Sequence, residues 1–90
     1  MPSSQTPLRA ADTAVFRPLG EGGVVLDLET GDYYELNVSG RFLWDQLAEG
    51  NSREGMIGAL RDRYDLDEGT ASDDVDAFID GLQRRRLLET

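Results

Sequence analysis

The stretch from Val24 to Asn37 restricts the choice of fold more than any other part of this chain. It reads Val-Val-Leu-Asp-Leu-Glu-Thr-Gly-Asp-Tyr-Tyr-Glu-Leu-Asn. Side chains alternate across a strand, so Val24, Leu26 and Leu28 point one way and Val25, Asp27 and Glu29 the other. With Gly31 between two such runs, the segment reads as a β-hairpin with strands near 23–28 and 32–37. A two-residue turn at Thr30-Gly31 would set Leu26 opposite Glu35 and mix the faces. A three-residue loop, Glu29-Thr30-Gly31, sets Leu26 opposite Tyr34 and Val24 opposite Leu36. The apolar faces then agree, and Gly31 takes the left-handed position such loops need. The second register is the expected one.

Residues 1–12 carry Pro2, Pro7, Ser3 and Ser4 and offer nothing to bury, so a disordered lead-in is expected there. Residues 13–90 then form one domain. Thr13-Ala-Val-Phe-Arg17 is a first short strand, ended by Pro18, and Gly20-Glu-Gly-Gly23 is a turn. Three consecutive strands make an antiparallel meander whose outer members are the first and the third. Proline blunts the end of the first, whereas the third contains neither proline nor glycine. At Asn37-Val-Ser39 the apolar period changes from two to 3.6. Asn37 or Ser39 caps a helix carrying Leu43, Trp44, Leu47 and Ala48, which stops near Glu49-Gly50. Asn51 or Ser52 caps a second, with Met56, Ile57, Leu60 and Tyr64 on one face. Thr70 or Ser72 caps a third, in which Val75, Phe78, Ile79 and Leu82 recur at helical spacing. Three strands followed by three helices predict an α+β domain, arranged as a strand-first winged helix-turn-helix.

Composition removes several kinds of chemistry. The chain has no cysteine and no histidine, which excludes disulfides, thiolate metal sites and the usual general base. Asp65-Leu-Asp67-Glu68 lacks the spacing of a calcium loop, and the glycine turn at 20–23 does not lead into a phosphate-binding helix. Asp73, Asp74, Asp76 and Asp80 sit on one helix and read as a solvated face rather than paired catalytic acids. No metal, cofactor or catalytic residue is expected. The net charge is −9 and every one of the 9 basic residues is arginine. That balance disfavours phosphate backbones and anionic membranes as partners. An acidic winged-helix transcriptional regulator is the alternative of a different class, and the aspartates on its would-be reading helix argue against it. The first residues lack the pattern of a signal peptide and no run spans a membrane, so the cytoplasm is the expected location.

Peptide binding fits these features better. An outer strand offers a row of unpaired main-chain groups to another chain. An extended peptide adding beside Tyr33, Tyr34, Glu35 and Leu36 would become a fourth strand. If the third helix lies near that edge, its stripe walls a groove, and Asp74 and its neighbours form an acidic rim that attracts a basic peptide. Arg84, Arg85 and Arg86 suit the negative C-terminal end of that helix, with docking as the other role open to them.

The run Leu26-Asp-Leu-x-x-Gly-x-Tyr-Tyr-x-Leu-Asn37-x-x-Gly40-x-x-x-Trp44 resembles the PqqD-like family. So does Asp74-Val75-x-x-Phe78-Ile79-x-x-Leu82 followed by Leu87-Leu88. The resemblance covers residues 13–89. Members of that family are RiPP recognition elements, which bind the leader segment of ribosomally made, modified peptides. Within it, the chain is most similar to the stand-alone leader-binding proteins of lasso-peptide biosynthesis. The resemblance implies a peptide chaperone without catalysis, holding the leader as a strand against the third strand in the cleft beside the third helix. It implies Tyr33, Tyr34, Glu35 and Leu36 as the receiving edge, and Val75, Phe78, Ile79 and Leu82 at or under the groove. The implied partners are a precursor leader peptide, often with a Tyr-x-x-Pro motif, a separate leader peptidase and a cyclase downstream. The runner-up within the family is the chaperone of pyrroloquinoline quinone synthesis. Arg86-Leu87 stands where the family often has Gly-Leu.

Overall fold

The computed structural model describes residues 8–89. The elements run β1 (Arg9–Ala10), β2 (Ala14–Leu19), β3 (Gly22–Asp27), β4 (Tyr33–Leu36), α1 (Val38–Ala48), α2 (Arg53–Tyr64), α3 (Glu68–Arg84) and β5 (Leu88–Glu89). The main sheet is the expected antiparallel meander, in the order β2-β3-β4, followed by three helices. Residues 1–7 of the expected lead-in lie outside the described residues. From Leu8 onward the chain belongs to the fold: β1 pairs antiparallel with β5, Arg9 opposite Glu89 and Ala10 opposite Leu88.

The hairpin register differs from expectation by one residue. Leu26 faces Tyr33, Val25 faces Tyr34, Val24 faces Glu35 and Gly23 faces Leu36. The cause is Asp27. Its Oδ1 accepts from Glu29 N at 2.9 Å, its carbonyl accepts from Gly31 N, and its N donates to Asp32 O, the last two at 2.8 Å. The loop is therefore the four residues Leu28–Gly31, with Gly31 left-handed at φ 82°. A one-residue change of register exchanges the faces of one strand relative to the other. The inward face of β3 thus carries Val25, fully buried, and Asp27, against Tyr34 and Leu36 of β4. Val24, Leu26 and Leu28 share the outward face, and Leu28 is 69% exposed.

The helices cover the inward face. Val25 and Leu36 join Leu43, Trp44 and Leu47 of α1, Met56, Ile57 and Leu60 of α2, and Ala71, Val75, Phe78 and Leu82 of α3 in one buried cluster, closed by Leu87 and Leu88. Phe16 stacks on Trp44 with ring centres 6.3 Å apart. The caps are Asn37 Oδ1 on Gly40 N (2.8 Å), Ser52 Oγ on Gly55 N (3.1 Å) and Asp67 Oδ1 on Thr70 N (2.7 Å). The third helix thus starts earlier than Thr70 or Ser72 suggested, because Asp67 supplies the better acceptor at the place where left-handed Asp65 has already ended α2. No helix among the described residues is long and apolar enough to cross a membrane.

Among the described residues, three carboxylates lie below the ordinary 3.8: Asp27 through the Glu29 N–H, Asp67 through the Thr70 N–H, and Asp76 through its hydrogen bonds to Arg53. A carboxylate lowered in the folded state leaves the unfolded chain binding more protons in acid. Its contribution is complete above the unfolded pKa and fades as pH falls from about 4 through the folded values. Thermal midpoints should therefore hold steady above about pH 5 and drop below about pH 4. The relief of net negative charge on acidification acts in the opposite direction, so the comparison that isolates these groups is a D27N/D67N variant. Asparagine keeps an acceptor oxygen that does not titrate, and melting curves across pH 2–6 should show a shallower decline.

Candidate functional site

Among the described residues, β4 has a strand on one side only. The bond from Asp27 N to Asp32 O fixes which groups face that neighbour. Bonded pairs recur every second residue in an antiparallel ladder, so Tyr34 and Leu36 bond β3, while the main-chain groups of Tyr33 and Glu35 point away from it. The open edge is thus built around Glu35, paired opposite Val24 in the wide, unbonded position.

The helix α3 runs beside this edge in the opposite direction. Asp74, Ala77 and Phe78 line a cavity of about 600 Å³ together with Tyr34, Glu35, Leu36 and Asn37. One turn on, Gly81 lies against the Tyr34 ring, whose atoms leave no room for a Cβ there. One turn further, Arg85 Nε donates to Tyr33 O at 3.1 Å. Residues 74, 78, 81 and 85 are spaced by four, three and four, which is one helical face. Eleven helical steps cover about 16 Å and the four strand steps from 33 to 37 about 13 Å, so the two elements match in length. The floor of the cavity comes from α1, through Ser39, Gly40 and Leu43. Gly40 has only 3.3 Å between a would-be Cβ and the Leu36 side chain, so the glycine lets α1 lie close under β4.

Of the residues singled out in the sequence, Tyr34, Glu35, Leu36, Asp74 and Phe78 meet at this cavity. Tyr33 stands on the edge, but its side chain lies on the outward face of the sheet and is 63% exposed. Val75 and Leu82 are fully buried in the core beneath, and Ile79 is half-buried against that core; none of the three lines the cavity. Asp76 points to the opposite side, where its carboxylate takes both Arg53 Nε (2.7 Å) and Nη2 (3.0 Å) across α2 and α3. Sequence reasoning missed Asn37, Ser39, Gly40, Leu43, Ala77 and Gly81, along with the place Arg85 takes on the strand edge. The wall of α3 lies one step round the helix from the apolar stripe, so hydrophobic periodicity does not mark it. Asp74 lines the cavity, and no arginine pairs with it among the described residues, whereas the Glu35 side chain shares the outward face of the sheet with Tyr33. Among those residues, no group of histidine, cysteine, aspartate and glutamate could hold a metal ion. The arrangement is suited to holding an extended chain: an unpaired strand edge, an apolar trough beside it and uncompensated negative charge at the rim.

The family model for coenzyme PQQ synthesis protein D (PqqD) matches residues 22–88. The fold is similar to that of a chain in the structure of TbiB1 in complex with the TbiA(beta) leader peptide. That similarity has a TM-score of 0.82 and 31% identity, and it covers 90% of this chain and 94% of that one. A lasso peptide synthetase B1 complexed with the leader peptide is similar in fold, also with a TM-score of 0.82, at 21% identity over 93% of this chain and 99% of that one. Comparison with curated protein sequences gives no match.

Proposed function

The chain belongs to the PqqD family, and from that premise we propose that it binds the leader segment of a ribosomally made precursor peptide in lasso-peptide biosynthesis. The leader adds as a strand along Tyr33–Leu36, with alternate side chains entering the trough beside α3. The protein then presents the bound precursor to a separate leader peptidase, in the cytoplasm where the precursor is made. Its contribution is effective concentration: a substrate held on a docking module meets a weakly binding enzyme more often. No bond is made or broken by this chain. The observation that carries the reading is the juxtaposition of the unpaired Glu35 edge with the cavity walled by Asp74, Ala77 and Phe78. The complex of the 31% identical TbiB1 with a leader peptide supports it.

Two main-chain hydrogen bonds at Glu35 contribute about 1 kcal/mol each, and each apolar side chain seated in the trough about 2 kcal/mol. Ordering the peptide costs roughly 2–5 kcal/mol. The edge therefore supplies geometry and a share of the affinity, while the trough adds affinity and, with the charge at its rim, sets the choice of leader. Titration of a fluorescent TbiA(beta) leader peptide by anisotropy tests the reading. Saturable binding that a scrambled peptide does not reproduce is expected; equal weak binding of both would overturn it. Reversing the rim charge with Asp74→Lys should weaken a leader peptide of net positive charge about fivefold and flatten its salt dependence. An unchanged salt slope would take Asp74 out of the rim.

A further inference from the structure

Arg85, the residue that closes α3, reaches across to the open edge of β4. Its Nε donates to the Tyr33 carbonyl at 3.1 Å and its Nη1 to the Gly81 carbonyl at 3.2 Å, and its Cζ stands 4.6 Å from the centre of the Tyr34 ring. The Tyr33 carbonyl is one of the groups that face away from β3. The guanidinium therefore occupies the place where the N–H of an added strand would donate. Two charge-assisted hydrogen bonds and an aromatic face hold it there. Guanidinium carries donors only, so it satisfies the carbonyl of Tyr33 but cannot replace a strand as acceptor for the Tyr33 N–H.

An added strand has a register to choose. A slip of two residues returns every side chain to the same face, about 6.8 Å along, so a uniform edge distinguishes such registers poorly. At the Leu36 end the edge is closed by α1, where the Asn37 carbonyl accepts from Arg41 N at 2.9 Å. At the Tyr33 end the backbone runs on into the hairpin loop, and the side chain of Arg85 stands across it.

We propose that Arg85 sets the register of the bound peptide by staying on the Tyr33 carbonyl and ending the edge there. This rests on the peptide-binding reading above and adds to it. Glu35 is left as the residue whose N–H and carbonyl both pair with the visitor. The peptide residue opposite Glu35 turns its side chain to the outward face of the sheet, and its two neighbours turn theirs inward. The preferred ligand is therefore an extended segment with apolar side chains two residues apart, held at one position beside Tyr34, Leu36 and Phe78. Arg85 is a positioning residue for that choice rather than an anchor for the ligand.

The test is amide hydrogen exchange by NMR, using ¹⁵N-labelled protein and the TbiA(beta) leader peptide with a nitroxide at one end. In the wild-type complex the Glu35 amide should slow at least about tenfold while the Tyr33 amide does not, and the nitroxide should broaden one set of β4 resonances. In Arg85→Ala both amides should slow, two registers should broaden the resonances, and affinity should rise about threefold to fivefold from the extra pairing at Tyr33. Arg85→Lys, which keeps the charge but cannot bridge both carbonyls across the ring, should lose the single register as well. It provides the result should the alanine variant unfold. Equal slowing of both amides in the wild-type complex, or a single register retained in both variants, would overturn the proposal alone. Absence of slowing at any β4 amide in the wild type would overturn strand addition itself.

Discussion

Replacing Glu35 with proline should weaken leader binding about thirtyfold while leaving the fold intact. Glu35 sits in a wide pair opposite Val24, so its N–H bonds nothing in β3 and its removal costs the sheet no hydrogen bond. Tyr34 before it is already extended, as the residue before a proline must be. On the open side the change removes the one donor at the centre of the edge and leaves a carbonyl of the visiting peptide unpaired. An unsatisfied group of that kind costs about 1–3 kcal/mol, and about 2 kcal/mol corresponds to the expected thirtyfold. Calorimetric titration with the TbiA(beta) leader peptide, with a melting curve of each protein alongside, measures both halves of the expectation. Wild-type affinity in a folded variant would mean that the peptide does not use this edge.

The largest effect on stability is expected at Gly22. A Cβ built there would overlap the Leu36 carbonyl oxygen and come within 3.0 Å of the Leu36 carbonyl carbon and 3.1 Å of the Asn37 carbonyl carbon. All three are backbone atoms, and they lie where β4 passes into the cap of α1. No side chain can swing aside to relieve the overlap, so the junction between strand and helix must open. Gly22→Ala is expected to cost about 3 kcal/mol, the upper end for overpacking. That is a large share of the total for a domain of this size. Denaturant unfolding should show a lower midpoint, and a lower slope as well if the junction frays before the core. A midpoint within experimental error of the wild type would show that β3 and β4 approach less closely than they do here.

The alternation from Val24 to Leu36 and the 3.6 period of α3 were enough to read the meander, the helices and their order, because burial imposes those periods directly. The register was not readable. Three outward apolar residues, Val24, Leu26 and Leu28, outnumber the one inward residue, Val25, so matching apolar faces selects the wrong partner row. What decides is the Asp27 carboxylate holding the Glu29 N–H, an interaction of a single residue that leaves no periodic trace. The candidate site divides in the same way. Tyr34, Leu36 and Phe78 were legible as strand and stripe, whereas Ala77 and Gly81 matter by being small where α3 passes β4. The reach of Arg85 spans 52 positions and has no local signature. Asp74 and Asp76 are alike in sequence, yet they separate because two helical steps turn Asp76 toward Arg53.

The short β1–β5 ladder has a further consequence for how such a module can be used. It brings the two extremities of the fold, Arg9 and Glu89, side by side. A host protein could carry the whole unit as an insertion in a surface loop, since both splice points fall within a few ångströms of each other. The same ladder ties the last residues of the fold to the first, so trimming past either one releases the other and uncovers Leu87 and Leu88 together.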